Sequence, residues 1–290
     1  MWIFDALAKD LGRECVHVAQ PSRIHVIANS MEKNDANDAW WLAYLLYERR
    51  LPEAFVAEGA LRELRIAARE LRAWTDQRAD LLRRFKSHLA QTGLKVPKSW
   101  QASKVGRAAA KKVIGQTNGE RRHALLILLK KIGSLSREML YWHTRVKELS
   151  KALPEVQVMI DELPGFGTVI AGTAHGEMGP ARRFYNQKAY AKGTGLTPGY
   201  RESGGHSTST RITRQGSRHA RWAFTRAVIS CMRCKKGSGL QVRKWVEMHG
   251  KHKPKRKVIV AAARKMAEGV WRLFALGECF DLAKAFPVKT

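Results

Sequence analysis

The chain has 290 residues, and its 53 Lys and Arg against 25 Asp and Glu give a formal net charge of +28 at pH 7. Such a charge requires a polyanion to offset its self-repulsion, and nucleic acid is the usual one. The 44% hydrophobic fraction indicates a globular chain, and four cysteines in this length do not indicate a disulfide framework.

The N-terminal segment differs from the rest in charge. Residues 1–57 carry 6 Lys/Arg and 8 Asp/Glu, a net of −2, whereas the remainder has a net of +30. The pattern predicts a helix over residues 2–11, a short strand over 15–19, a helix opened by Pro21 and a last helix from Asp35. Since one strand cannot make a sheet, this segment is interpreted as an incomplete α/β piece.

The middle of the chain is predicted to be helical. A long helix is predicted over 58–92 with a polar break at Thr75 and Arg78, followed by a basic connector with at most short helices over 93–119. The next helix, over 120–150, has apolar residues at alternating steps of three and four. Its members are Leu125, Leu128, Ile132, Leu135, Met139, Trp142, Val146 and Leu149. This heptad seam fits an antiparallel hairpin within one chain and a coiled coil between chains equally well.

The C-terminal region begins with a glycine turn. Pro164-Gly165-Phe166-Gly167 precedes a helical run, and the backbone N–H groups at such a helix start, here at Gly165 and Gly167, can hold a phosphate. Helix-hairpin-helix DNA-binding units use this arrangement, although helix capping alone explains the turn equally well.

A Gly-rich stretch without an apolar period, from Gly193 to His206, is predicted to be a long loop. In the segment 207–218 that follows, hydroxyls alternate with arginines, as phosphate contacts require. Further helices are predicted at about 218–233 and 257–276. The basic run between them, 251–257, is interpreted as a clamp on a nucleic-acid backbone.

Two sets of residues could carry chemistry. Asp35 and Asp38 are spaced i, i+3 and would lie on one face of a helix, where they favour either a divalent metal or an ordinary acidic helix start. Ser203 lies between Glu202 and two glycines, which let a substrate backbone approach closely, and Arg201 could stabilise a phosphate. Most serines in such loops have no catalytic role. Cys231 and Cys234 form a single C-x-x-C, which indicates a helical core pair rather than a metal site.

Several motifs occur in a consistent order along the chain. They are a Lys-x-Asp-x-x-Asp-Ala motif at 33–39, Pro-Gly-x-Gly at 164–167, Gly-Leu-x-Pro at 195–198, Ser-Gly-Gly at 203–205 and Arg-Ile-x-x-x-Gly-x-x-x-x-Arg at 211–221. With this series the chain resembles the transposases of the one-ten insertion-sequence family, relatives of the Piv DNA invertase. The resemblance implies three parts: the C-terminal part of a RuvC/RNase H-like domain (1–57), a helical coiled-coil region (58–158) and a helical transposase domain (159–290).

The resemblance also implies a mechanism. In this family four acidic residues hold Mg²⁺, and Asp35 and Asp38 match the last two. A serine that matches Ser203 attacks the DNA phosphodiester and forms a covalent link. The partners implied are DNA, a guide-like noncoding RNA and further copies of the chain in a dimer or tetramer built through the heptad helices. A bacterial cytoplasm, at the nucleoid, is the location implied. The nucleic-acid contacts expected are Gly165, Gly167, Arg201, Arg211, Arg214, Arg218, Lys253, Lys255, Arg256 and Lys257.

One departure from the family pattern affects the expected activity. The first two acids of the family have no counterpart, since Asp5 and Asp10 belong to a predicted helix. We therefore expect a truncated member with little or no strand transfer of its own. The competing hypothesis is a basic nucleic-acid-binding remnant without catalysis.

Overall fold

The computed structural model describes residues 2–24, 34–97, 100–203 and 206–288, with the side chains of 22, 102 and 200–211 outside the description. The described chain is mainly helical and divides into two units, residues 1–58 and 59–290. No described helix is both long and apolar enough to cross a membrane.

The described residues of the first unit form two helices, α1 (Trp2–Leu11) and α2 (Asp35–Tyr47), and two short 3₁₀ turns, Arg13–Cys15 and Pro21–Arg23. Its described hydrophobic cluster is small, with Phe4, Val16 and Val56 as the buried members, and Ile24 and Ala57 are also buried. The predicted helices over residues 2–11 and from Asp35 are confirmed.

The strand predicted over residues 15–19 is wrong. The chain turns in a 3₁₀ helix up to Cys15 and then forms one isolated bridge, Ala19 to Glu53. Two backbone hydrogen bonds flank the bridge, from the N–H of Gln20 to the carbonyl of Pro52 (2.8 Å) and from the N–H of Ala54 to the carbonyl of Val18 (2.7 Å). Pro52 has no N–H to extend this pairing, so a ladder does not form. The described part of this unit has no sheet, and a RuvC-like α/β piece is not confirmed.

The second unit contains ten helices among its described residues and one β-hairpin. The elements are α3 (Gly59–Ala90), α4 (Lys104–Ile114), α5 (Gly119–Lys151), α6 (Pro154–Glu162), α7 (Thr168–Met178), α8 (Gln187–Gly193), β1 (Pro198–Ser203), β2 (His206–Ile212), α9 (Arg218–Cys231), α10 (Gly237–Gly250), α11 (Lys255–Leu276) and α12 (Leu282–Ala285). Short 3₁₀ turns at Trp100–Ala102 and Ala181–Arg183 complete the unit.

The long helices α3 and α5 pack against each other as an antiparallel hairpin. Arg78 pairs with Ser136 and Arg121 pairs with Gln91, so residue numbers rise along one helix as they fall along the other. The heptad seam of α5 is buried at Leu125, Leu128, Ile132 and Val146 and partly buried elsewhere. Of the two interpretations of the seam, the structure shows the hairpin within one chain.

The main core surrounds α7, whose residues from Ala171 to Met178 are all buried. Helices α3, α5, α6 and α9 contact α7, and α11 packs on the far side of α9. This core includes Leu64, Val146, Phe224 and Met266, so it joins the helical region to the transposase-like region.

Candidate reactive hairpin and nucleic-acid interface

The Gly-rich stretch predicted to be a loop is in part a two-stranded antiparallel hairpin. Strand β1 pairs with β2 from Pro198 opposite Ile212 to Ser203 opposite His206, with a bulge near Pro198. The sequence contained a signal for it: Ser203 and His206 are separated by Gly204-Gly205, and a Gly-Gly pair is typical of a two-residue hairpin connection. The residues 204–205 themselves lie outside the described set.

The backbone therefore places Ser203 at the last pair of the hairpin. The side chains of Arg201, Ser203 and Arg211 lie outside the described residues, so the roles predicted for them stay predictions. Their strand positions place all three on the hairpin: Ser203 at its last pair, Arg201 in the middle of β1, and Arg211 near the base.

The base of the hairpin consists of residues 193–197 and 213–217. The N–H of Thr213 binds the carbonyl of Thr197 (3.0 Å), and the N–H of Ser217 binds the carbonyl of Gly193 (3.1 Å). Gly216 has φ +120°, and a Cβ there would overlap the carbonyl oxygen of Gly193. The two segments can approach this closely because position 216 has no side chain.

Three arginines lie in or shortly after the second segment of this base. Arg214 and Arg218 are exposed, as a phosphate contact requires. Arg221 donates from Nη1 to the carbonyl of Arg214 (3.3 Å), and burial, followed by the charge of Arg214, lowers the pKa of Arg221. The predicted contacts Arg214 and Arg218 therefore lie together at the foot of the hairpin.

A buried carboxylate beneath the base was missed by the sequence analysis. The side chain of Glu177, in the last turn of α7, is 3% exposed. It accepts hydrogen bonds from Arg69 Nε (2.6 Å) and Nη2 (3.0 Å) on α3 and from the Ser217 hydroxyl (2.8 Å). A single acid in the apolar run from Thr168 to Met178 was the available signal, because a charge on a buried helix needs partners.

The carbonyls at the end of α7 are also bound by arginines. Arg65 donates to Gly176 O (2.6 Å) and Glu177 O (3.2 Å), and Arg183 donates to Met178 O (2.9 Å). Burial lowers the pKa of Arg183 to about 10, opposed by Tyr190 and reinforced by Arg65. Cations at a helix C-terminus are favourable, so these arginines stabilise the end of α7.

In the glycine turn before α7, Gly165 packs closely against α9. Gly165 has φ +78°, and a Cβ there would overlap Ala227 O and Cys231 Sγ of α9. Gly167 is the exposed N-cap of α7 and, as a glycine, has no side chain to cap the helix. No atom lies within 4 Å of where its Cβ would be, so a phosphate has room to approach Gly167. Gly165, in contrast, is needed for the close approach of the turn to α9.

The basic run lies at the start of α11. Lys253 precedes the helix, and Lys255, Arg256 and Lys257 form its first turn; all four are exposed. The first turn contains no acidic residue. Three cations at the positive end of a helix repel its dipole, so an anion bound there would relieve an unfavourable arrangement.

The acidic pair lies in the first turn of α2. Asn34 caps the helix by accepting from the N–H of Ala36 (2.9 Å), Asp35 is exposed, and Asp38 is half-buried. The Oδ1 atom of Asp38 is buried without a hydrogen-bond partner within the described ranges. An orphaned carboxylate oxygen suits a cation, so the pair fits as part of a metal site. No group of three or more His, Cys, Asp or Glu in the described ranges could hold a metal.

The remaining candidate, the C-x-x-C pair, is at the end of α9. Cys231 is buried, while Cys234 is half-buried. Burial, with a smaller effect of Cys234, raises the pKa of the Cys231 thiol to about 12. A thiol held protonated at neutral pH is a poor nucleophile, in agreement with the predicted core role.

Two family models match the chain. Residues 158–243 match the model described as the transposase IS116/IS110/IS902 family, and residues 4–93 match the model of the IS110 DEDD transposase domain. The second match includes the acidic pair, and the first includes α7, the hairpin and α9. A search of curated proteins found no match.

Proposed function

Because the chain belongs to the IS110 family of insertion-sequence transposases, we propose that it cleaves and transfers DNA strands with the hydroxyl of Ser203 as nucleophile. The family implies DNA as the partner and a recombinase class of enzyme. The observation that carries the proposal is the position of Ser203 at the last pair of a hairpin whose base bears the exposed Arg214 and Arg218.

The proposed step is a transesterification. The Ser203 oxygen attacks phosphorus, a serine–phosphate bond forms, and the bond to one deoxyribose oxygen breaks. The serine proton is lost, and the displaced oxygen leaves as a hydroxyl after taking up a proton. The hydroxyl of another strand would then lose its proton and attack the same phosphorus. The bond from phosphorus to the Ser203 oxygen breaks, that oxygen takes up a proton, and the two strands are joined. The arginines at the base would bind phosphate and stabilise the charge that develops.

We also propose that Asp35 and Asp38 supply two carboxylate ligands to a divalent cation, Mg²⁺ by resemblance. When bound, the cation would polarise a phosphate oxygen. The DEDD transposase domain implies a divalent metal in general. The buried Oδ1 of Asp38, which has no hydrogen-bond partner among the described residues, supports the assignment of Asp38 as a ligand.

A second candidate function is nucleic-acid binding without strand cleavage. The observation that favours it is that the cations at 253–257 and at the hairpin base are exposed, as binding to a phosphate backbone requires, and this binding needs no catalytic group. A guide-like noncoding RNA, a dimer or tetramer, and a nucleoid location stay predictions of the resemblance.

A denaturing gel distinguishes the two candidates. The full chain is incubated with end-labelled DNA and Mg²⁺. The first candidate predicts a slow-migrating, protease-sensitive adduct, which would contradict the expectation that this chain transfers little or no DNA on its own. Ser203→Ala should abolish the adduct, whereas Ser207→Ala, in the same hairpin, should retain it. An adduct that survives Ser203→Ala contradicts the nucleophile assignment. DNA binding without any adduct in the unaltered chain supports the second candidate.

A further inference from the structure

The carboxylate of Glu177 connects three separate parts of the second unit. It belongs to α7, two of its hydrogen bonds come from Arg69 on α3, and the third comes from Ser217 at the base of the hairpin. Arg69 is half-exposed, whereas the side chain of Glu177 is 3% exposed. The pair therefore reaches from the surface into the core directly beneath the hairpin base.

Burying a carboxylate is costly, and an apolar side chain in the same place often gives equal or greater stability. Burial alone would raise the pKa of Glu177, but the hydrogen bonds from Arg69 and Ser217 outweigh it and hold the pKa below its usual value. The group stays ionised at neutral pH and keeps both partners. Beyond any effect on stability, the carboxylate fixes the positions of Arg69 and Ser217 relative to α7.

Ser217 connects Glu177 to the base of the hairpin. Its hydroxyl donates to Glu177 and accepts from the N–H groups of His219 and Ala220, so it also caps α9. Its own N–H binds Gly193 O, which lies on the other side of the base. One residue thus links the buried carboxylate, the start of α9 and both segments that support β1 and β2.

We propose that Glu177 is a positioning residue, which through Ser217 fixes the base of the hairpin and so sets where Ser203 is presented. The connection from Glu177 through Ser217 to the hairpin base rests on the hydrogen bonds described for these residues. The consequence for Ser203 rests on the proposed function. Glu177 lies on α7 beneath the hairpin and acts through Ser217.

The test replaces the hydroxyl donor with a second carboxylate. In Ser217→Asp the side chain remains a good helix cap, but it meets Glu177 with a like charge. Hydrogen exchange measured by mass spectrometry should then be roughly tenfold faster in peptides covering 193–217, and unchanged in peptides from α5. Adding Glu177→Gln supplies an amide N–H to the new carboxylate, so exchange should return toward the wild-type rate.

The matched control is Ile132→Val, a core change in the other apolar cluster, which should lower thermal stability without altering exchange at 193–217. If Ser217→Asp does not fold, Ser217→Ala removes the same hydrogen bond and should give the same local increase. Unchanged exchange at 193–217 in the folded variant, or no recovery in the double variant, overturns the proposal.

Adduct formation tests the consequence for Ser203. At saturating DNA, which removes the effect of the added charge on affinity, Ser217→Asp should slow adduct formation by about tenfold or more, and Glu177→Gln should restore the rate. A rate loss that follows affinity, or a rate loss equal to that of Ile132→Val, contradicts positioning. If the unaltered chain forms no adduct, the proposed function fails, and the exchange measurement still decides whether Glu177 holds the hairpin base.

Discussion

Arg78 on α3 donates from Nε to the hydroxyl of Ser136 on α5 over 2.9 Å, between the two apolar clusters of the helical hairpin. On one side of this pair α3 contributes Leu64 and Leu71 to the main core, and on the other side it contributes Phe85 to the second cluster. The polar break in the sequence of α3 is thus the point where its buried surface passes from one core to the other. The Arg78 guanidinium is partly buried, and burial lowers its pKa.

Removing the acceptor at this point should destabilise the hairpin. Ser136→Ala leaves the guanidinium of Arg78 without its partner, so we expect a loss of about 1–2 kcal/mol in the free energy of unfolding. Ser134→Ala, at a half-buried position on the same helix, should change it by less than about 0.5 kcal/mol. Urea unfolding followed by circular dichroism measures both. Equal effects of the two variants would contradict a specific role for the Arg78–Ser136 pair.

Stability should fall in mildly acidic solution because of a buried histidine. Burial lowers the pKa of His175 on α7, opposed by the charge of Glu155. The folded chain therefore prefers neutral His175, and its contribution is fully present above the unfolded pKa of about 6.5. As pH falls below about 6.5, the unfolded chain takes up a proton more readily, and stability is lost by up to about 1.4 kcal/mol per pH unit.

The variant His175→Gln tests this dependence. Its stability should vary less with pH between about 5.5 and 7 than that of the unaltered chain. His219, whose pKa is also lowered by burial, should account for part of the remaining slope, so His219→Gln is the matched comparison. Thermal unfolding across this pH range is the measurement. A slope unchanged by His175→Gln would assign the acid sensitivity to other groups.

The long helices α3, α5 and α11 were predictable because their apolar residues repeat at helical spacing over many turns, whereas the shorter α6, α8 and α10 were not predicted. The apolar steps of α5 gave its extent to within one residue at each end, and the acidic start of α2 gave its first residue. The strand predicted over 15–19 does not form, and five residues of strand-like sequence do not reveal whether a neighbouring segment can pair with them. Here the neighbour begins with Pro52, which cannot donate a backbone hydrogen bond.

The site was predictable only in part. Motif order placed Ser203 and the basic positions, and the structure brings Arg214 and Arg218 to the base of one hairpin. The contact of Glu177 with Arg69 joins residues 108 positions apart, and no local pattern encodes such a separation. Gly165 was interpreted as a phosphate contact, whereas its contact with α9 depends on a partner helix about 60 residues later in the chain.

The basic run at the start of α11 should dominate the salt dependence of DNA binding. Replacing Lys253, Lys255, Arg256 and Lys257 with Ala removes four exposed charges, and the slope of log K against log salt should flatten by about 0.9 for each phosphate that the variant no longer neutralises. A control with Lys104, Lys111, Lys112 and Lys130 replaced by Ala removes the same net charge at exposed positions elsewhere. Fluorescence anisotropy with a labelled duplex measures both slopes. Equal flattening in the two variants would show that net charge alone matters.

The last prediction concerns Asp38, whose buried Oδ1 has no hydrogen-bond partner in the described part of the chain. Without metal this oxygen costs free energy, so Asp38→Asn should leave thermal stability unchanged or slightly raised. A divalent cation that binds the folded chain alone should stabilise it by RT ln(1 + [L]/Kd).

We therefore expect Mg²⁺ or Mn²⁺ to raise the unfolding temperature of the unaltered chain and to leave that of Asp38→Asn unchanged. Asp10→Asn, an exposed acid at the end of α1, is the control for general screening of negative charge and should keep the response to metal. Electron paramagnetic resonance of free Mn²⁺ counts bound ions directly and is independent of DNA cleavage. Binding that persists in Asp38→Asn would remove Asp38 from the ligand set, because a carboxamide is a much weaker ligand for these cations than a carboxylate.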